Sequence, residues 1–373
     1  MKSVVVDSEI VTPFGLGLET CWDHLRRGRC AVKPVERFDV SAFGSSVAST
    51  IEGLLYHQGP SLVWQMLTQL SPKAIPGDAA LMLATTTGEV DLLEQTVLEE
   101  IDQGPEGQLN VLLKRVRDLF GLCGKASIVS SACTSSTAAI GLAVASIESG
   151  NEDAVLIVAC DAVTEFVYTG FSSLMALDPE GARPFDAERQ GLSAGEAAGY
   201  MLLMSEDRAG RENRSILGYV LGWGLSNDAN HITGPARDGD GLARAIRLAI
   251  KAAEVDPDKI GFICAHGTRT CYNDAMEMQA FKQVFSQPRP TFSVKGALGH
   301  TMGAAGLLEA ALTLRALREK TVLPSSRTNI IDDDAKGWVV TEQKRQDRPV
   351  ALTTNSGFGG VNAALVISRE PLV

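Results

Sequence analysis

Four short segments of this chain carry residues that could do chemistry. In Ser130-Ser131-Ala132-Cys133-Thr134-Ser135-Ser136, a cysteine sits where an apolar run over 126–130 gives way to small residues at helical spacing. A thiol at a helix N-terminus meets unpaired N–H groups and the positive end of the helix dipole. Both favour the thiolate, which is the nucleophilic form. Taken alone, Cys133 fits a buried structural thiol equally well. In Ala265-His266-Gly267-Thr268-Arg269-Thr270, a histidine and two threonines follow the run IGFICA. The carboxyl edge of a strand is where α/β folds gather ligand chemistry, though a satisfied core histidine is the alternative. The stretch from Ser293 to Gly306 sets Lys295 and His300 among glycines, ahead of a helix that contains Glu309. Such a turn could cradle phosphate, but the pattern G-x-x-x-x-G-K-[ST] is absent. In Asn355-Ser356-Gly357-Phe358-Gly359-Gly360-Val361-Asn362, one aromatic stands among three glycines between two apolar runs. It reads as a mobile loop bearing one bulky group, or as a tight turn.

Strands ending at a shared edge must position these segments. The start of the chain reads as a first strand. Runs over 126–130 and 154–160 predict buried strands, with a helix over 134–149 between them. That is the strand–helix–strand unit of an α/β sheet covered on both faces. The habit repeats with strands at 215–225, 260–265, 291–294, 350–354 and 361–367, and helices at 241–254, 273–285 and 303–318. A strand at 80–86 and helices near 60–71 and 89–101 read as excursions from the first sheet. Similar element order in the two parts predicts a structural duplication, split near residue 212 in the polar stretch Glu206 to Arg214. The expected units are 1–212, with the cysteine, and 213–373, with both histidines.

The composition narrows the function. The chain has 373 residues and a net charge of -11. Phosphate contacts need clustered Lys and Arg, so general nucleic-acid binding is not expected. The small groups Arg26, Arg27, Arg29, Lys33 and Lys114, Arg115, Arg117 read as local basic patches or solvated helix faces. No run approaches 18 apolar residues, so no membrane span is expected. Seven dispersed cysteines without a C-x-x-C pair predict reduced thiols and a cytoplasmic setting, with no metal site.

Together the four segments resemble the β-ketoacyl-acyl carrier protein synthases of the thiolase-like superfamily. Ala182-Arg183-Pro184-Phe185-Asp186 and Ala194-Gly195-Glu196-Ala197-Ala198-Gly199 are similar to that family's R-P-F-D and G-E-G-A-G stretch. Gly222 to His231 with Pro235, Asn273-Asp274-Ala275-Met276-Glu277, Val11-Thr12-Pro13-Phe14-Gly15 and Arg37-Phe38-Asp39 extend the likeness. The resemblance implies two pseudo-duplicated halves in a five-layer αβαβα sandwich. It implies that Cys133 accepts an acyl group from a carrier protein's phosphopantetheine arm, with no cofactor of the chain's own. His266 and His300 would then assist a decarboxylating malonyl unit, and Lys295, near Glu309, would orient or tune the site. The N–H groups of Cys133 and Phe358 would form an oxyanion hole, with Phe358 also a gate. Thr268, Thr270, Gly359 and Gly360 would meet the substrate. The implied partners are acyl carrier protein and a second subunit, in a homodimer or heterodimer.

The chain departs from that family in four places, of which the last two point to a specialised synthase, for a polyketide, polyene or other secondary product, over the housekeeping fatty-acid enzyme. Arg269 stands where Gly or Ser is usual, and the last loop lacks one aromatic. The segment before Cys133 is short, and the helix near 60–71 lacks basic residues. Two other readings stay open: a non-catalytic chain-length-factor-type partner, and a thiolase-like acyltransferase that forms no carbon–carbon bond.

Overall fold

In the computed structural model, which describes residues 2–72, 74–98, 104–188, 190–270 and 272–372, the most apolar segments become strands. The first half holds β1 (Ser3–Thr12), β2 (Ala80–Ala84), β3 (Ala126–Val129), β4 (Ala154–Asp161) and β5 (Ala197–Ser205). The second holds β6 (Gly218–Asn227), β7 (Ile260–Cys264), β8 (Thr291–Phe292), β9 (Val350–Gly357) and β10 (Val361–Ser368). Neighbours run β8-β7-β9-β10-β6-β1-β5-β4-β2-β3.

The two halves share one topology. Counted within each half, the order is third, second, fourth, fifth, first. The first two pairings are parallel and the next two antiparallel in both halves. The halves meet where β1 and β6 pair antiparallel, from Ser3 opposite Val220 to Val5 opposite Gly218.

Helices fill the layers between and outside the sheet halves. They include α1 (Leu62–Leu67), α2 (Leu109–Leu119), α3 (Ser135–Glu148), α4 (Glu165–Ser173), α5 (Asp240–Ala252), α6 (Asn273–Val284) and α7 (Ala305–Glu319). α3 and α7 pack on each other between the halves: α3 touches β4 and β10, and α7 touches β5 and β9. A helix covered on both sides needs apolar or small residues nearly all round, and α3 buries ten of its residues from Ser135 to Ile147. α5 covers only the outer face of β6 and β10. It buries Leu242, Ala245, Ile246 and Ala249 and exposes Arg244, Arg247 and Lys251. α1 and α2 cover the outer face of the first half. The result is five layers, αβαβα, with apolar cores at the central and the two outer interfaces.

Some elements differ from the sequence reading. The helix expected over 60–71 is shorter, starting after Ser61, whose hydroxyl accepts from Trp64 N–H at 3.0 Å. The acidic helix expected over 89–101 is described from Val90 to Leu98, and residues 99–103 lie outside the described residues. The expected strand at 215–225 sits two to three residues later, as β6. β5 was not expected at all. Every one of its residues is buried, so it shows no alternation, and a continuous apolar run does not by itself distinguish strand from helix.

One close helix–sheet approach is at β6. A Cβ added at Gly224 would lie 2.1 Å from the Ala245 carbonyl oxygen and 2.8 Å from Leu248 Cβ. Gly224→Ala should therefore push α5 outward and lower stability by about 1–3 kcal/mol, measured by urea unfolding. A loss below about 0.5 kcal/mol, the range of ordinary surface changes, would contradict this packing.

Candidate active site

Cys133 follows β3 and precedes the cap of α3 at Thr134. The turn is tied by its own hydroxyls. Ser135 Oγ accepts from Ser131 N–H at 2.8 Å and donates to the Ala132 carbonyl at 2.6 Å. Thr134 Oγ1 donates to the Ser131 carbonyl at 2.7 Å. The backbone at Ala132 is left-handed, with φ 47°, a conformation that L-residues hold only when their surroundings enforce it. The reward is direction: the turn aims the thiol at the end of the second half's strands.

His266 follows β7. Its N–H and that of Gly267 both donate to the Glu277 carboxylate, at 2.8 and 2.7 Å. Burial pushes Glu277 up to about 8, helped by Asp274 and opposed by those two N–H groups. His300 follows β8 and the short helix Lys295–Leu298. Its N–H donates to the Ser193 carbonyl at 2.7 Å, and its carbonyl accepts from Gly195 N–H at 3.0 Å. Gly299 makes that approach feasible: it has φ 67°, and a Cβ there would lie 2.5 Å from the Ala194 carbonyl oxygen.

The three side chains converge. Cys133 Sγ and ring nitrogens of His266 and His300 all lie within 4.8 Å of one another. The rings stand edge to face, with centroids 5.1 Å apart. Lys295 is buried behind them and pairs with Glu309. Glu309 in turn accepts from Asn355 Nδ2 at 2.7 Å.

Burial sets the charge states. It pushes both histidines well below their ordinary value, and the Lys295 ammonium adds to the effect. Both rings are therefore neutral at pH 7. Burial also pushes the Cys133 thiol up to about 11, partly offset by Lys295 and by the N–H groups of Phe358 and of Cys133 itself. This reverses the expectation of a thiol acidified at a helix end. The sulfur lies one residue before the cap, and its desolvation outweighs the donors around it. Both N–H groups act on the sulfur itself.

The cavity over the sulfur measures about 40 Å³ and is lined by Cys133, both histidines, Thr268, Thr270 and Phe358, together with Phe171, Leu192 and Asn273. That is room for about one water. Phe358 meets Phe171 of α4 with ring centroids 6.2 Å apart, and this pair forms part of the cavity wall. The hydroxyls of Thr268 and Thr270 lie 3.2 Å apart. Arg269, between them, is fully buried, pairs with Asp178 and donates to the Gly181 carbonyl at 3.3 Å. Gly359 and Gly360 form the outer turn of the β9–β10 hairpin and do not line the cavity. Gly359 N–H donates to the Ile232 carbonyl at 2.6 Å.

Sequence reading missed the polar groups behind the cavity. Asp161, at the end of β4, accepts from Thr85, Thr86 and Thr87, and from Gly303 N–H at 2.7 Å. It thereby ties the His300 segment to the first half. Asn355 was read as a loop residue but lies within β9, fully buried.

A thiol held near 11 should be alkylated slowly at neutral pH. Its iodoacetamide rate, followed by mass on the Cys133 peptide, should rise roughly tenfold per pH unit from pH 7 to beyond pH 9, because the thiolate fraction does. A plateau below pH 9 would contradict the desolvated site.

Comparison with known proteins agrees with this geometry. Residues 69–209 match the Beta-ketoacyl synthase, N-terminal domain, and residues 217–329 match the Beta-ketoacyl synthase, C-terminal domain. The chain is 28% identical over 412 aligned positions to 3-oxoacyl-[acyl-carrier-protein] synthase 2 of Vibrio cholerae, with 99% of each covered. It is 28% identical to the chloroplastic 3-oxoacyl-[acyl-carrier-protein] synthase I of Hordeum vulgare, covering 98% of this chain and 89% of that one. Among solved structures it superposes on the ishigamide ketosynthase/chain length factor with a TM-score of 0.89 and 30% identity, over 99% of both chains. With the strand order, the cysteine and the two histidines all in place, the chain belongs to the β-ketoacyl synthase family.

Proposed function

We propose that the chain is a 3-oxoacyl-[acyl carrier protein] synthase: it joins an acyl group held on Cys133 to the carbanion left by a decarboxylating malonyl thioester. The observation that carries this reading is the convergence of one thiol and two neutral imidazoles on one small cavity, with the N–H groups of Cys133 and Phe358 beside the sulfur.

Each step uses groups already in place. An acyl thioester arrives on the phosphopantetheine arm of a carrier protein, past Thr268 and Thr270. Cys133 Sγ bonds to the acyl carbon, and the Cys133 and Phe358 N–H groups hold the oxyanion. The arm's sulfur leaves and takes the proton that the thiol gives up. The malonyl thioester then binds with its carbonyl oxygen facing His266 and His300. Its C–C bond to the carboxylate breaks, carbon dioxide leaves, and the electron pair forms an enolate that the two imidazoles stabilise as neutral donors. The enolate carbon attacks the Cys133 thioester, the C–S bond breaks, and the sulfur regains a proton from water. Lys295 and Glu309 lie behind the histidines and set the local charge.

The cavity of about 40 Å³ does not hold an acyl chain, so Phe358 and Phe171 must part before Cys133 is loaded. β3 is an edge strand with partly exposed residues, which supports a dimer with a second copy or a related subunit. The products fit fatty-acid, polyketide or polyene assembly. The repeated strand order supports a division near residue 212. We place the activity in the cytoplasm: the six described cysteines are free thiols, and no described helix is long and apolar enough to cross a membrane.

Mass spectrometry with carrier substrates tests the reading. Incubation with an acyl-carrier protein should add the acyl mass to the Cys133 peptide, and malonyl-carrier should then release carbon dioxide. Cys133→Ala should abolish chain extension. His300→Ala should keep acylation and slow decarboxylation by about 10²–10³-fold, the usual loss for one such donor. Acylation without decarboxylation in the unaltered protein would favour an acyltransferase. Neither reaction would favour a non-catalytic partner. Extension by the Cys133→Ala protein would overturn the mechanism.

A further inference from the structure

A buried polar chain runs behind the cavity from Lys295 through Glu309 and Asn355 to His266. Asn355 Nδ2 carries two hydrogens. One goes to Glu309 Oε2 at 2.7 Å, and the other faces His266 Nδ1 at 3.2 Å. The amide oxygen receives the Thr137 hydroxyl. Glu309, held by the Lys295 ammonium, offers only acceptors, so the amide nitrogen must be the atom that faces it. The amide therefore has one orientation, and in that orientation His266 Nδ1 meets a donor. A ring nitrogen that accepts a hydrogen bond cannot hold the proton, which then sits on Nε2.

His300 is held alike by other means. Met302 N–H donates to its Nδ1 at 3.3 Å. Its Nε2 is buried without a hydrogen-bond partner among the described residues, a donor left for substrate.

We infer that Asn355 is the positioning residue that fixes His266 as the Nε2–H tautomer, so that the ring donates to substrate and serves neither as base nor as metal ligand. This deepens the proposed condensing function and rests on it for the identity of the acceptor. A thiol and two imidazoles within 4.8 Å would otherwise make a donor set suited to Zn²⁺. Metal-binding histidines donate their second N–H to an acceptor. Both rings here do the reverse: each receives a donor on Nδ1, which places the proton on the nitrogen a metal would need.

The test is ¹⁵N-histidine NMR on the whole protein, alongside steady-state kinetics and Zn²⁺ titration. In the unaltered protein, His266 should show the Nε2–H pattern alone. Asn355→Leu keeps the volume and removes the donor. It should shift His266 toward the Nδ1–H tautomer and lower decarboxylation about tenfold or more, the scale of losing an outer-sphere partner. Acylation of Cys133 should be unchanged, and Zn²⁺ should inhibit at lower concentration. Thr137→Val, which only loosens the amide oxygen, should move the spectrum the same way by less, and it decides the matter if Asn355→Leu fails to fold. An Nδ1–H pattern in the unaltered protein, or an unchanged His266 spectrum in a folded variant, would overturn the inference. If the unaltered protein shows Nε2–H but does not condense, the functional reading falls and the tautomer assignment stands.

Discussion

Removal of water from one thiol and two imidazoles that meet in a single cavity is the constraint on which the rest of this structure depends. A buried group without compensation keeps its neutral form. Here that leaves a thiol and two uncharged imidazoles facing one another. Neutrality divides the labour. The imidazoles can donate without carrying charge into the site, and the sulfur stays protonated until an acyl thioester arrives. The buried ionisable groups around the site include the ion pair of Lys295 with Glu309 and the multiply bonded Asp161. Each has partners that satisfy it, and each lies behind a reacting group.

The duplicated fold explains how these groups meet across so much sequence. In the first half, the third strand, β3, leads through Cys133 into the central helix α3. In the second, the third strand, β8, leads through His300 into the central helix α7. Cys133 and His300 thus occupy corresponding places in the two halves, brought face to face because α3 and α7 pack together. His266 follows the second strand of its half. The corresponding turn in the first half, after β2, supplies Thr85, Thr86 and Thr87 to Asp161. One half contributes the thiol and a braced carboxylate, and the other contributes both imidazoles, which is the division of labour the proposed mechanism uses.

Much of this was legible in the sequence because catalytic turns need unusual local composition. Small residues around Cys133, glycines around His300 and the lone aromatic at Phe358 stand out against strands of Val, Leu and Ile. Strand and helix positions followed from apolar runs, except where burial on both faces erased the alternation, as in β5. Interactions between distant segments stayed hidden. Nothing local marks Asn355 as the link between Glu309 and His266, or shows that Arg269 pairs with Asp178. The thiol's acidity was misjudged for a related reason: a helix end is visible in sequence, whereas the depth of burial is a property of the whole fold.

The most direct measurement is a crystal structure of the enzyme trapped with an acyl group on Cys133. This account requires the thioester carbonyl oxygen to lie about 3 Å from the N–H groups of both Cys133 and Phe358. Phe358 should have swung away from Phe171, and the two imidazole edges should face the space where the second substrate must sit. An acyl group on another residue, or an oxygen turned away from both N–H groups, would contradict it.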